Sequence, residues 1–127
     1  MKKTLLARII LTCVAVLLLQ ACATAPTTGV TALSGTWTNS LGTIWTMRAD
    51  GTFDVDLNHD GKRDAWGMCR VEGNTVTVSR TGGINPKGCG GNGVYHFTRT
   101  KDTLHFTLVK DACKLRIKNV TSDWHLK

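Results

Sequence analysis

The stretch TIWTMRADGTFDVD, residues 43–56, decides the fold. Two runs of alternating apolar and polar residues flank the turn Ala49-Asp50-Gly51, a pattern typical of a β-hairpin. A three-residue loop with Gly51 in the left-handed conformation places the apolar side chains on one face, whereas a two-residue turn would slip the register and scatter them. The predicted pairs are Met47 with Phe53 and Trp45 with Val55.

Similar alternating runs recur along the chain from Leu33 onward, about 8–12 residues apart and separated by turn signals. A first hairpin joins residues 36–39 to 43–48, and later turns are expected at Gly73-Asn74, Lys101-Asp102 and Asp111-Ala112. The pairs they predict are Cys69 with Val78, Val71 with Val76, Phe97 with Phe106, Tyr95 with Leu108, Leu108 with Leu115, and Phe106 with Ile117. This is an all-β barrel or sandwich, and a closed eight-stranded antiparallel up-and-down barrel buries the apolar face most simply.

The inward face of these strands carries several large side chains. An eight-stranded barrel leaves room for its own side chains or for one small ligand. We therefore expect a largely filled interior with a shallow mouth, where a small apolar or amphipathic ligand binds. The candidate ligand-binding residues are Trp45, Met47, Phe53, Tyr95, Phe97 and Phe106, with Leu108 also directed inward.

The N-terminal segment has the plan of a bacterial export signal: positive charge, then an apolar run from Ile9 to Leu19, then small residues before Cys22. Its ending, LQAC, resembles the lipobox of bacterial lipoproteins, which implies cleavage before Cys22 and lipidation of its thiol. The alternative is an uncleaved transmembrane helix, although the apolar run is shorter than the ~20 residues a span needs. The resemblance and Ala23, in place of the inner-membrane retention Asp, imply a lipid anchor at the periplasmic face of the outer membrane.

The predicted organisation is a signal peptide at 1–21, a flexible tether at 22–32 and one barrel domain at 33–127. Removing Lys2, Lys3 and Arg8 with the signal lowers the net charge from +7 to +4. This surplus favours contact with anionic surfaces, but no basic run is interleaved with aromatics, so nucleic acid is not an expected partner.

Three of the five cysteines remain inside the predicted barrel domain, in an oxidising compartment. Cys69 falls on the inward face among valines, where a lone thiol behaves as a small hydrophobic group. Cys89 lies in the glycine-rich loop 82–93, and Cys113 begins the last predicted strand. These positions predict a disulfide between Cys89 and Cys113.

The order of motifs resembles that of small bacterial lipocalin-like lipoproteins, a group of calycin-type β-barrels. The matching pieces are Gly35-Thr36-Trp37, Asp50-Gly51-Thr52-Phe53, Gly73-Asn74, Gly93-Val94-Tyr95 and the ending Asp111-x-Cys113-x-x-Arg116. In such barrels the Trp plugs the closed end and an Arg from a late strand packs across it. The resemblance therefore implies structural roles for Trp37 and Arg116, with Arg116 covering Trp37.

The sharpest local motif is DLNHDGKRD, residues 56–64. Oxygen ligands at positions 1, 3, 5 and 9, with glycine at position 6, are typical of a calcium loop. The expected ligands of a possible Ca²⁺ are Asp56, Asn58, Asp60 and Asp64. Against this, position 12 is Gly67 instead of the bidentate Glu, and an Asx-rich turn neutralised by Lys62 and Arg63 explains the same residues.

The sequence contains no nucleophile elbow, catalytic carboxylate pair or phosphate loop, so we expect a binding protein and no catalytic residues. The first hypothesis is a barrel that binds a small ligand at its mouth. The alternative is an envelope protein-interaction or inhibitor module with a filled barrel, which acts through a basic row on its outer wall. That row would consist of Lys114, Arg116 and Lys118.

The calcium hypothesis predicts weak binding, as in extracellular modules with Kd of about 10⁻⁴–10⁻³ M. Calorimetry with millimolar calcium should show heat of binding, and Asp60→Ala should reduce the stability of the protein in calcium. The absence of heat, together with no stability change in Asp60→Ala, would rule the hypothesis out.

Overall fold

The computed structural model describes residues 29–127. The predicted signal peptide, Cys22 and most of the predicted tether lie outside the described residues. Gly29–Leu33, which the sequence assigned mostly to the tether, forms a 3-10 helix whose Ala32 and Leu33 are buried. Within residues 29–127, no helix is long and apolar enough to cross a membrane.

Eight antiparallel strands follow in chain order and close into a barrel, in which β8 pairs with both β7 and β1. The predicted all-β, up-and-down, eight-stranded barrel is therefore confirmed. The strands are β1 Gly35–Asn39, β2 Ile44–Met47, β3 Thr52–Asp56, β4 Ala65–Glu72, β5 Thr75–Gly83, β6 Gly93–Arg99, β7 Thr103–Lys110 and β8 Trp124–Leu126.

The predicted registers of the central hairpins are also confirmed. Met47 lies opposite Phe53, Cys69 opposite Val78, and Phe97 opposite Phe106. Gly51 has a φ of 90°, and the N–H of Arg48 donates to the carbonyl of Thr52, which closes the three-residue loop. The apolar alternation thus determined the pairing here, because any slip would have placed polar side chains inside the barrel.

The prediction of a last strand starting at Cys113 is wrong. Residues Lys114–Val120 form a short helix, α1, and the closing strand β8 comes only afterwards. The side chain of Cys113 accepts the N–H of Arg116, which caps the first turn of α1. The residues of α1 that face the barrel are Leu115, Arg116, Asn119 and Val120, which is helical spacing. The apparent alternation of Leu115 and Ile117 was therefore misleading.

The two ends of the barrel differ. At one end, here called the closed end, the 3-10 helix lies beside the turns at residues 48–51 and 100–102. Trp37 is fully buried there, and the guanidinium of Arg99 lies 4.9 Å from its ring centroid. Arg99 also donates to the carbonyls of Ala32 and Ser34. The arginine over Trp37 is therefore Arg99 from β6, and the prediction of Arg116 is wrong because Arg116 belongs to α1.

Aromatic side chains fill the interior. Trp45 lies with its ring centroid 5.6 Å from that of Phe106 and 5.3 Å from that of Trp124, and Tyr95 is fully buried. Leu108 was expected to point inward, but it is exposed, because β7 extends beyond the core toward Lys110. Cys69 is buried and unpaired, as predicted, and the predicted Cys89–Cys113 disulfide is present.

The bulge between Trp66 and Gly67 generates a stability prediction. A Cβ on Gly67 would lie 1.9 Å from the carbonyl oxygen of Ser79 on the neighbouring strand, and this backbone cannot rotate away. Gly67→Ala should therefore lower the free energy of unfolding by about 1–3 kcal/mol in urea denaturation. Gly90→Ala, where a Cβ meets open space, is the matched control. Equal midpoints for the two variants would contradict this account of the bulge.

Candidate functional site

The end opposite the 3-10 helix, here called the mouth, is built by the loops at residues 40–43, 57–64 and 84–92 and by α1. A half-open cavity of about 90 Å³ lies between these loops and the top of the barrel core. Most of its wall is apolar, and the disulfide Cys89–Cys113 forms one side. The apolar wall includes Phe53, Val55, Leu57, Val78, Val120 and Trp124.

The structure divides the six predicted ligand-binding residues into two groups. Trp45 and Phe53 line the mouth cavity. Met47, Tyr95, Phe97 and Phe106 are buried below it and pack within the core. Their assignment to a ligand site is therefore corrected: they form the floor that limits how deep a ligand can enter.

Three tryptophans are almost fully buried, and their indole N–H groups are treated differently. The indole nitrogen of Trp37 donates to the carbonyl of Leu33 at 3.0 Å, and that of Trp124 donates to the carbonyl of Val120 at 3.0 Å. Trp45 is only 2% exposed, yet its indole nitrogen has no acceptor among the described residues. Trp45 thus brings an unpaired hydrogen-bond donor to the cavity that it lines.

Arg80 is the second unpaired donor of the same cavity. It follows Val76 and Val78 on β5, and its Nη1 donates weakly to the carbonyl of Gly83 at 3.4 Å. Its Nε is buried without an acceptor, and within residues 29–127 no carboxylate forms an ion pair with it. Sequence reasoning missed Arg80, although a signal existed: the alternation that turns Val76 and Val78 inward also turns Arg80 toward the interior.

The remaining polar wall residues are paired with one another. The Thr43 hydroxyl donates to Oδ1 of Asn119 at 2.6 Å, and Oδ1 of Asn39 accepts the N–H groups of Leu41 and Thr43. The Asn119 amide donates in turn to the carbonyl of Leu115. Because these groups are satisfied, the open hydrogen-bonding capacity of the cavity belongs to Trp45 and Arg80.

The motif Asp111-x-Cys113-x-x-Arg116 holds α1 over the mouth. Arg116 forms a two-pronged ion pair with Asp111, with Nε at 2.6 Å and Nη2 at 2.7 Å from the two carboxylate oxygens. Asp111 also accepts the N–H of Cys113 and the hydroxyl of Tyr95, and Arg116 donates to the carbonyl of Gly91. The predicted basic row of Lys114, Arg116 and Lys118 on an outer strand is therefore absent, since these residues lie on a helix and Arg116 is engaged inward.

The electrostatics of this motif favour its charged form. Burial opposes ionisation of Asp111, but the hydrogen bonds from Arg116 and Tyr95 outweigh it and hold the pKa of Asp111 below its ordinary value. The pKa of Tyr95 is raised, first by burial and then by its hydrogen bond to Asp111. Tyr95 therefore stays a neutral donor to a carboxylate that remains ionised.

Cys69 is the one free thiol in the part of the chain that the structure describes. Burial raises its pKa to about 12, so the thiol stays protonated. A buried protonated thiol is a poor nucleophile. Cys69 therefore contributes packing to the core and no reactive group to the mouth.

The predicted calcium loop, residues 56–64, forms part of the rim. The carboxylate of Asp56 accepts the N–H of Gly61 at 2.9 Å, and that of Asp64 accepts the N–H of Leu57 at 2.7 Å. Asn58 and Asp60 bond to neighbouring loop residues. In residues 29–127, no group of three or more His, Cys, Asp or Glu side chains is arranged to hold a metal ion. Calcium binding by Asp56, Asn58, Asp60 and Asp64 thus stays a prediction from the sequence.

Comparisons with family models, with curated proteins and with solved structures find no match for this chain. What the mouth binds is therefore inferred from its own side chains.

The ion pair at the mouth generates a second prediction. Removal of one partner leaves the other charge buried, so Asp111→Asn should lower the free energy of unfolding by about 3 kcal/mol near pH 7. The contribution of a carboxylate whose folded pKa is lowered is complete above its unfolded pKa of about 3.9, and is lost as the pH falls through the folded pKa. The gap between wild type and variant should therefore shrink in urea titrations carried out below about pH 4.

Asp123→Asn is the control for this experiment, because Asp123 pairs with His105 on the exposed surface. It should change stability little at any of these pH values. A loss in Asp123→Asn as large as that in Asp111→Asn would show that the buried pair has no special weight.

Proposed function

We propose that this protein is an envelope lipoprotein whose barrel binds a small amphipathic molecule at its mouth. The mouth cavity carries this proposal, because it is an apolar recess above a core that is otherwise filled. Binding, and not catalysis, is the proposed activity. A molecule of this kind would enter from the open side, between α1 and the loop at residues 84–92.

The size of the cavity restricts the ligand. Engineered protein cavities of about 150 Å³ hold one benzene ring, and the mouth cavity has about 90 Å³. It therefore accepts a segment of a few carbon atoms, with the rest of the molecule toward solvent. A haem or a fully enclosed long-chain fatty acid exceeds the space above Phe106.

The chemistry of the wall gives an affinity scale. Each methylene group transferred from water to an apolar site contributes about 0.8 kcal/mol, so about five groups supply roughly 4 kcal/mol. That value corresponds to a Kd of about 1 mM for a simple apolar chain. Polar contacts then have to supply any tighter binding.

The compartment is supported by the sequence alone. The lipobox ending at Cys22, the tether that follows it and the resemblance to lipocalin-like lipoproteins all favour attachment at the periplasmic face of the outer membrane. A barrel of this fold, with a mouth site, is compatible with that attachment. The alternative, an interaction module acting through a basic outer row, loses its main support because Arg116 is turned inward and paired with Asp111.

The test is an NMR titration of the folded domain with 1-hexanol, a short apolar chain. We expect saturable shifts in residues around the mouth, with a Kd of about 1 mM. Ala65 lines the cavity, so Ala65→Leu should fill part of it and weaken binding about tenfold.

Ala49→Leu makes the same substitution in an exposed turn at the opposite end of the barrel and should leave the affinity unchanged. Shifts that do not saturate, or equal loss of binding in both variants, would refute the proposal of a mouth site.

A further inference from the structure

We propose that the mouth selects a small carboxylate with a short apolar tail, and that Trp45 and Arg80 together recognise its head group. This inference rests on the proposed function and adds the chemical class of the ligand. One carboxylate oxygen would accept the indole N–H of Trp45, and the negative charge would face the guanidinium of Arg80. The tail would lie against the apolar wall.

The first support is the unpaired indole of Trp45. A buried donor without an acceptor is unfavourable, and native proteins rarely leave one. The same chain pairs the indoles of Trp37 and Trp124 with main-chain carbonyls at 3.0 Å. Trp45 alone among these three lines the cavity by a donor that the protein itself does not satisfy. A ligand oxygen is the acceptor that fits this position.

The second support is the charge of the cavity. Its two charged wall residues are Arg80 and Arg116, and no acidic side chain lines it. Arg116 is neutralised by the carboxylate of Asp111. Arg80 has one weak contact to a carbonyl, and its Nε is buried without an acceptor. The cavity therefore carries one uncompensated positive charge, which attracts an anion and disfavours a cation.

The combination of these donors points to a carboxylate. Two donors on different strands, an indole N–H on β2 and a guanidinium on β5, suit a flat head group with two acceptor oxygens. A neutral alcohol or amide would leave the charge of Arg80 unmet. The small volume of the cavity also favours a planar head over a bulkier one.

The test compares two probes of equal chain length, sodium hexanoate and 1-hexanol, by NMR titration at neutral pH and low salt. We expect hexanoate to bind about tenfold more tightly, which is the effect of one charge-assisted hydrogen bond. Arg80→Gln should abolish this preference and leave the affinity for 1-hexanol unchanged. Arg70→Gln, an exposed arginine on β4 that does not line the cavity, is the matched control and should keep the preference.

The indole N–H resonances give a signature that folding defects do not imitate. Saturation with hexanoate should shift the indole N–H signal of Trp45 downfield, as a hydrogen bond forms. The corresponding signals of Trp37 and Trp124 should stay in place, because their acceptors are already present.

The outcomes separate the two proposals. If neither probe binds, the proposed mouth site fails, and this inference fails with it. If both probes bind equally, or if the Trp45 signal does not move, the mouth site stands and carboxylate selection is overturned. Tighter binding of hexanoate that depends on Arg80 and moves the Trp45 signal supports the assignment.

Discussion

The ion pair between Asp111 and Arg116 is the interaction on which the mouth of this barrel depends. It closes over five residues in which the chain leaves β7, forms a disulfide and starts α1. Because Asp111 also accepts the N–H of Cys113, the carboxylate holds both the start of the helix and its third residue. The direction of α1 is thereby set, and with it everything that follows in the chain.

The consequences of that direction extend to barrel closure. With α1 across the mouth, the carbonyl of Val120 meets the indole of Trp124, and Asn119 meets Thr43 on the first hairpin loop. Trp124 then begins β8, a strand of only three residues that pairs with β1 and β7. So short a strand has few ladder hydrogen bonds of its own. Its position is secured instead by the helix before it and by the buried ring of Trp124.

The sequence predicts those parts of the fold that depend on side-chain alternation. The pairs of Trp45 and Cys69 followed from it, since a slip in register would have buried polar groups. The segment after Cys113 could not be predicted in this way, because seven residues with apolar Leu115 and Ile117 fit a strand and a helix equally well. The choice was made by Asp111 and Cys113 through contacts that periodicity does not record. The arginine over Trp37 was misassigned for the same reason, once the last strand was placed too early.

The candidate site shows a similar division. Phase alone placed Trp45 and Phe53 inside the barrel, but phase does not give depth, so residues of the deep core were included with those of the mouth. Arg80 was accessible to the same reasoning, because it shares the phase of Val76 and Val78. A charged residue at an inward position near the end of a strand is a stronger pointer to a site than another aromatic, since its burial needs a partner.

The interior of the barrel finally constrains why a tryptophan occupies position 45. A phenylalanine there would keep an aromatic ring against Phe53, Phe106 and Trp124 without bringing a buried donor that costs about 1–3 kcal/mol when unpaired. Packing therefore explains the ring but not the indole nitrogen. The same cavity contains the unpaired Nε of Arg80, and two unrelated strands have to be brought together for the two donors to share one wall. Recognition of an acceptor from outside the chain accounts for both donors at once, and the apolar wall beside them accounts for the tail that such an acceptor would carry.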